Sequence, residues 1–149
     1  MERLERAQQI DPTFDWTYGQ LGDLLAQQAK TAQSEAEKKR LLDQALSDYQ
    51  KSLSLPGDAQ LKYNYGIASG GVLTQLGRIP EAITAYEGAI KAYPQGSSAW
   101  QVQQVLAQLY AQQADYPSAL QYANAALVLA PQDQKSTIQA LIDQIEARP

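Results

Sequence analysis

The stretch Glu81–Pro94, EAITAYEGAIKAYP, decides the fold. Its apolar residues recur at intervals of three and four, as on one face of an amphipathic helix, and the run stops at a proline, which cannot donate the next helical hydrogen bond. The same design recurs in ALSDYQKSLSLP (Ala45–Pro56) and in SALQYANAALVLAP (Ser118–Pro131). Ahead of each stands another helical stretch in which a large residue is followed by a small one: Leu21-Gly22 in YGQLGDLL, Tyr65-Gly66 in YNYGIASGGVL, Leu106-Ala107 in VLAQLYAQQADY. Helix, turn, helix and proline, three times over, is a repeat architecture, in which each unit buries its apolar face only against its neighbours.

Composition agrees. With 149 residues, 44% apolar and 19% charged, the chain has the balance of one globular or repeat domain. Nine glycines and seven prolines are few for an all-β protein, and long alternating apolar-polar runs are absent. A net charge of −4 and a pI near 4.7 argue against nucleic acid or an anionic membrane as partner, because phosphate neutralisation needs clustered Lys and Arg. The one basic cluster, Lys38-Lys39-Arg40, stands beside Glu35 and Glu37 and reads as a solvated helix face.

The residues that are missing exclude chemistry. Without Cys or His the chain has no disulfide, no thiolate or imidazole metal site, no cysteine nucleophile and no Ser-His-Asp triad. No catalytic residue, metal ligand set or cofactor motif stands out, so the expectation is a non-enzyme without a cofactor. No apolar run reaches the roughly 18–20 residues that span a bilayer, and MERLERAQQ lacks the apolar middle of a signal peptide. The chain therefore reads as soluble, and lack of Cys fits cytoplasm and periplasm equally.

The repeated pattern resembles the tetratricopeptide repeat, which reads W-x2-L-G-x2-Y, then A-x3-F, then P. Ala82, Tyr86, Ala89 and Pro94 match its second half without a gap. Ala119, Ala126 and Pro131 match as well, with Ala123 where an aromatic is usual and Tyr122 one place early; Ala45, Tyr49 and Ser52 fit, with Pro56 one residue soon. The resemblance implies an all-α array of helical hairpins in a right-handed superhelix: seven main helices, plus a fragment of an eighth at residues 2 to 10.

The expected organisation is a remnant of a preceding repeat's second helix at 1–12, repeats at 13–56, 57–94 and 95–131, and a capping helix at 132–149. Proline-to-proline intervals are 44, 38 and 37 residues, against about 34 for the family. The excesses are close to whole helical turns, which keeps the same face inward. The largest falls in AQQAKTAQSEAEKKRLLDQAL, where Ser34 with Glu37 reads as a capping box opening a lengthened second helix. Ala7 and Pro12 are spaced as Ala89 and Pro94 are, so the parent protein is expected to extend further on the N-terminal side.

The run GIASGG (Gly66–Gly71) invites comparison with a phosphate-binding loop, but such a loop follows a strand and leads into Gly-Lys-Ser/Thr, whereas Val72-Leu73-Thr74 follows here. Gly66 and Gly70, one turn apart, read instead as a bare patch on which another helix backbone lies close, with a kink expected near Gly70-Gly71.

In tetratricopeptide proteins the first helices of successive hairpins line a concave groove that binds a peptide or a helix of another protein. Carrying that geometry over implies partner-binding positions at Trp16, Asp23 and Gln27, at Gln60, Tyr63, Asn64 and Ile67, and at Gln101, Gln104 and Gln108, with Gly19 beside the first set. The glutamines belong to WQVQQVLAQLYAQQ (Trp100–Gln113), which has six glutamines and no charge. They are either a ligand surface or the solvated face of a chain with 22 glutamines. As ligand contacts, these side chains should be exposed. The lysine- and asparagine-based clamp that some relatives use for a peptide carboxylate is absent, since Gly19, Asp23, Gln101 and Val105 occupy four of its positions and only Asn64 fits.

The resemblance thus implies a scaffold binding a protein or peptide, with no nucleic acid and no direct membrane contact. Two alternatives stand beside it: the soluble tail of a bacterial O-antigen ligase or polymerase-like membrane glycosyltransferase, which the long KKRLLDQALSDYQKSL helix resembles, and a self-assembly module forming a homo-oligomer.

Overall fold

The structure, a computed structural model, describes residues 2–11 and 13–148. Met1, Pro12 and Pro149 lie outside the described residues, and with Pro12 goes the predicted Ala7–Pro12 spacing. Eight α-helices account for the regular structure among the described residues, with no strand: α1 (Glu2–Ile10), α2 (Asp15–Ala29), α3 (Glu35–Ser54), α4 (Ala59–Gln75), α5 (Ile79–Ala92), α6 (Ala99–Gln112), α7 (Tyr116–Leu129) and α8 (Lys135–Glu146). The all-α, helical-hairpin fold expected from the repeated segments is the fold observed.

The helix boundaries follow from local chemistry. Ser34 caps α3, its hydroxyl accepting from Glu37 N at 3.1 Å. The Glu37 carboxylate returns to the N–H of Gln33 at 3.2 Å, one residue before the position a reciprocal capping box uses. Asp58 caps α4 by accepting from the N–H groups of Gln60 and Leu61, and Asp115 caps α7 by accepting from Ser118 N. Pro80 and Pro117 occupy the first turns of α5 and α7, where a missing N–H costs nothing. Pro56, Pro94 and Pro131 each stand just beyond the end of a helix.

The chain forms two compact units, the first running to Tyr93 and the second from Pro94. In the first, α2 and α3 form one hairpin and α4 and α5 another; α3 packs on α4, α1 on α2, and α2 also reaches α4. The extra length sits in helices: α3 has 20 residues and α4 has 17, against 14 in each of α5, α6 and α7. The core of this unit contains Leu21, Leu25, Leu42, Leu46, Tyr49, Tyr65, Leu73 and Tyr86, with Ala45, Ala82 and Ala89 nearly solvent-free.

Small residues let these helices approach. A Cβ on Gly66 would stand 2.9 Å from Ala89 Cβ and 3.4 Å from Ala85 O, so the backbone of α5 lies directly over it. The GIASGG run is interior to the continuous helix α4, not a loop. In the second unit α6 and α7 form a hairpin and α8 packs on α7. Its core is largely alanine and isoleucine, Ala107, Ala119, Ala123 and Ala126 against Ile138, Ile142 and Ile145. The aromatic missing at Ala123 is displaced sideways, where Tyr122 stacks on Tyr110 at 5.5 Å with the rings 8° apart.

Candidate functional site

In the first unit α2 and α4 enclose a cleft of about 470 Å³, with Tyr49 of α3 among its lining residues. From α2 and its C-terminal end it receives Asp23, Ala26, Gln27 and Lys30; from α4 it receives Ala68, Gly71, Val72 and Gln75. Asp23, Gln27 and Lys30 recur at helical spacing and therefore form one stripe, seven residues or about 10 Å long. Gly71 and Gln75, one turn apart, line the opposite wall.

Tyrosines organise this site from below. The Tyr49 hydroxyl donates to Asp23 Oδ1 at 2.7 Å, and Tyr49 stacks on Tyr65 with ring centroids 6.0 Å apart. Gln20 Nε2 donates to the Tyr65 hydroxyl oxygen at 3.3 Å and reaches Asp23 Oδ2 at 3.4 Å. Burial, reinforced by the bond to Asp23, pushes the Tyr49 phenol far above its usual range. Burial likewise raises Tyr65. Both rings are thus held as neutral donors, and the Asp23 carboxylate is fixed at the cleft by a phenol that gives up its proton reluctantly.

Of the residues expected to bind a partner, Asp23 and Gln27 are exposed and line this cleft. Trp16, Gln60 and Asn64 are exposed and Ile67 is half-buried, but none of them lines it. Trp16 instead meets Phe14 at 6.0 Å. Tyr63 corrects the expectation of an exposed groove residue: it is only 2% exposed, with its ring edge-on to Tyr93 at 6.0 Å. The reason is that α4 is packed by α3 and by α5, so an aromatic on its flank is drawn into the contact while neighbouring Asn64 stays in water. Gly19 is corrected likewise, because the Tyr65 ring covers it so closely that a Cβ there would fall within the ring.

Lys30, Gly71 and Gln75 are cleft residues that the sequence reading does not include, although continuing each stripe by one or two further turns from Gln27 and Ile67 reaches all three. The repeat pattern marks Tyr49 only as packing. Its second role, donating to Asp23 across 26 residues, has no local signal.

In the second unit Gln101 and Gln108 are exposed and Gln104 is half-buried. On α6 Val102, Leu106 and Leu109 are buried, while Val105 and Tyr110 are half-buried. Gln108 contributes to a separate cleft of about 450 Å³ shared with Gln112, Tyr116, Gln144 and Arg148. Among the described residues no group of three or more acidic side chains is placed to hold a metal ion, and no helix is long and apolar enough to cross a membrane.

Paired helices with small residues at their contacts, closed by prolines and opening a cleft between the first helices α2 and α4, define a helical-hairpin repeat protein. In comparison with known families, residues 70–134 match the family model described as Tetratricopeptide repeat. Among solved structures the chain is similar to a thermophilic TPR protein in Thermus thermophilus, at 19% identity and a TM-score of 0.67, over 99% of this chain and 71% of that one. At that identity the likeness establishes the fold. No curated protein matches the sequence. Tetratricopeptide folds are in general non-catalytic scaffolds for binding proteins or peptides, and neither match carries the likeness to a membrane-enzyme tail.

Proposed function

We propose that this protein is a non-catalytic interaction scaffold that holds an extended peptide segment of a partner in the cleft between α2 and α4. The observation that carries the proposal is the cleft itself: about 470 Å³ of open space, lined by exposed polar side chains on two first helices and backed by the buried Tyr49. A site of that shape offers amide, carboxylate and ammonium groups to a backbone or polar side chains, and apolar contact over the half-buried Ala68. Affinity should be modest, because exposed amides exchange hydrogen bonds with water at little net gain.

The test is selection of random ten-residue peptides displayed against the full chain, followed by mapping of the binding site from amide chemical shifts. Perturbations concentrated on Gln27, Ala68, Gly71 and Gln75 are expected. No enriched peptide, or perturbations confined to α3 and α5, would remove the reading.

A further inference from the structure

Asp23 faces the cleft with acceptor capacity in hand. A carboxylate offers about four acceptor sites; Tyr49 occupies one at 2.7 Å, and Gln20 reaches the other oxygen only at 3.4 Å. Neither Asp23 nor Lys30 takes part in the ion pairs Lys38–Glu35, Lys39–Asp43 and Arg78–Glu81. Asp23 is the only anionic and Lys30 the only cationic side chain lining the cleft, and two turns of helix keep them about 10 Å apart. Gln27 and Gln75 supply only neutral amides in the same space.

A peptide in the extended polyproline II conformation advances about 3.1 Å per residue with three residues per turn, so side chains three positions apart share a face and lie about 9 Å apart, close to the same spacing. Resting on the peptide-binding reading above, we infer that the cleft selects an extended segment bearing a Lys or Arg side chain that pairs with Asp23, with an acidic side chain about three residues away opposite Lys30. Asp23 is the specificity residue. The hydroxyl of Tyr49 is the positioning group that turns the carboxylate toward the cleft, and the cation of the partner takes the acceptor sites that Tyr49 leaves. Selectivity arises because a charged donor gains a charge-assisted bond, whereas a partner with Glu or Asp at that position meets like charge.

The peptide selection described above supplies the test. Enriched sequences should carry Lys or Arg at one fixed position, with Glu or Asp about three residues away. Asp23→Asn keeps an acceptor for Tyr49 but removes the charge, and should weaken such a peptide at least about tenfold while leaving the melting temperature unchanged. Replacing the peptide's basic residue with norleucine should weaken binding to the parent chain equally and make no further difference to Asp23→Asn, the signature of a direct pair. Gly71→Gln projects a side chain into the cleft from a position where a Cβ meets only Tyr86 Oη at 3.8 Å, and should abolish binding of every selected peptide. Peptides that are blocked by Gly71→Gln yet lack a basic residue, or bind Asp23→Asn as tightly, would overturn the inference and leave the groove reading intact. Failure to select any peptide, or indifference of all selected peptides to Gly71→Gln, would overturn both.

Discussion

Tyr49 of α3 rests against Gly22 of α2 so closely that a Cβ on Gly22 would stand 2.6 Å from the ring. The bare glycine seats the ring, and the seated ring delivers its hydroxyl to Asp23 one residue further along α2. The pairing recurs in the next hairpin, where a Cβ on Gly70 would stand 2.8 Å from the Tyr86 ring. A small residue under an aromatic is thus the device that sets helix spacing in this unit.

Gly22→Ala should therefore destabilise the protein by about 1–3 kcal/mol, since the buried Tyr49 ring has no room to retreat. Gly88, exposed in mid-α5 with nothing within 4 Å of a built Cβ, is the control. There Gly88→Ala should stabilise by about 0.5–1 kcal/mol, through helix propensity alone. Thermal melts of the two variants should shift in opposite directions.

The turns between helices of the last two hairpins differ in one respect. Gly77 adopts φ of 72° between α4 and α5, and Ala114 adopts φ of 59° between α6 and α7. A left-handed backbone is strained for alanine and free for glycine. Ala114→Gly should stabilise by about 0.5–1 kcal/mol, and Gly77→Ala should lose about 1 kcal/mol, both measured by denaturant unfolding.

Tyr49, Tyr65 and Tyr86 are all shifted upward, in each case chiefly by burial. A phenol whose folded pKa exceeds its unfolded value contributes stability that is complete below the unfolded pKa, near about 10, and is lost as pH rises above it. The melting temperature should hold up to that pH and fall beyond it, with phenolate absorbance appearing together with unfolding. Tyr49→Phe should flatten the fall. Phenolate absorbance from all tyrosines well before loss of helical signal would contradict this.

Tyr63 and the glutamine row should separate cleanly. Tyr63→Ala empties a buried aromatic site and should cost about 3–5 kcal/mol. Gln101→Ala and Gln108→Ala alter exposed side chains and should stay within about 0.5 kcal/mol of the parent. Urea titration of the three variants provides the comparison.

Asp48 is half-buried on α3, and burial raises its carboxyl above the ordinary value. The folded state thus holds that proton more tightly than the unfolded chain, so the contribution is best at low pH and declines as pH rises through the folded pKa. Asp48→Asn should raise the melting temperature at neutral pH, and the gain should shrink toward zero below about pH 4. A gain that persists unchanged into acid would point to something other than charge burial.

Sequence alone carried the helices, their order and the cap at Ser34, because those depend on residues within about four positions of one another, as do the prolines beyond α3, α5 and α7. Two of the nine residues that line the cleft were legible for the same reason, since Asp23 and Gln27 follow from helical spacing once α2 is recognised as a first helix. Tertiary structure decided where each tyrosine went. Tyr63 and Asn64 are neighbours on α4, yet one is buried and the other exposed, because α3 and α5 pack against α4 from distant parts of the chain. Gly19 reads as groove surface until Tyr65, 46 residues away, closes over it. The bond from Tyr49 to Asp23 belongs to the same class: burial and directed hydrogen bonds across a helix contact depend on which residues a neighbouring helix brings, and no local periodicity encodes that.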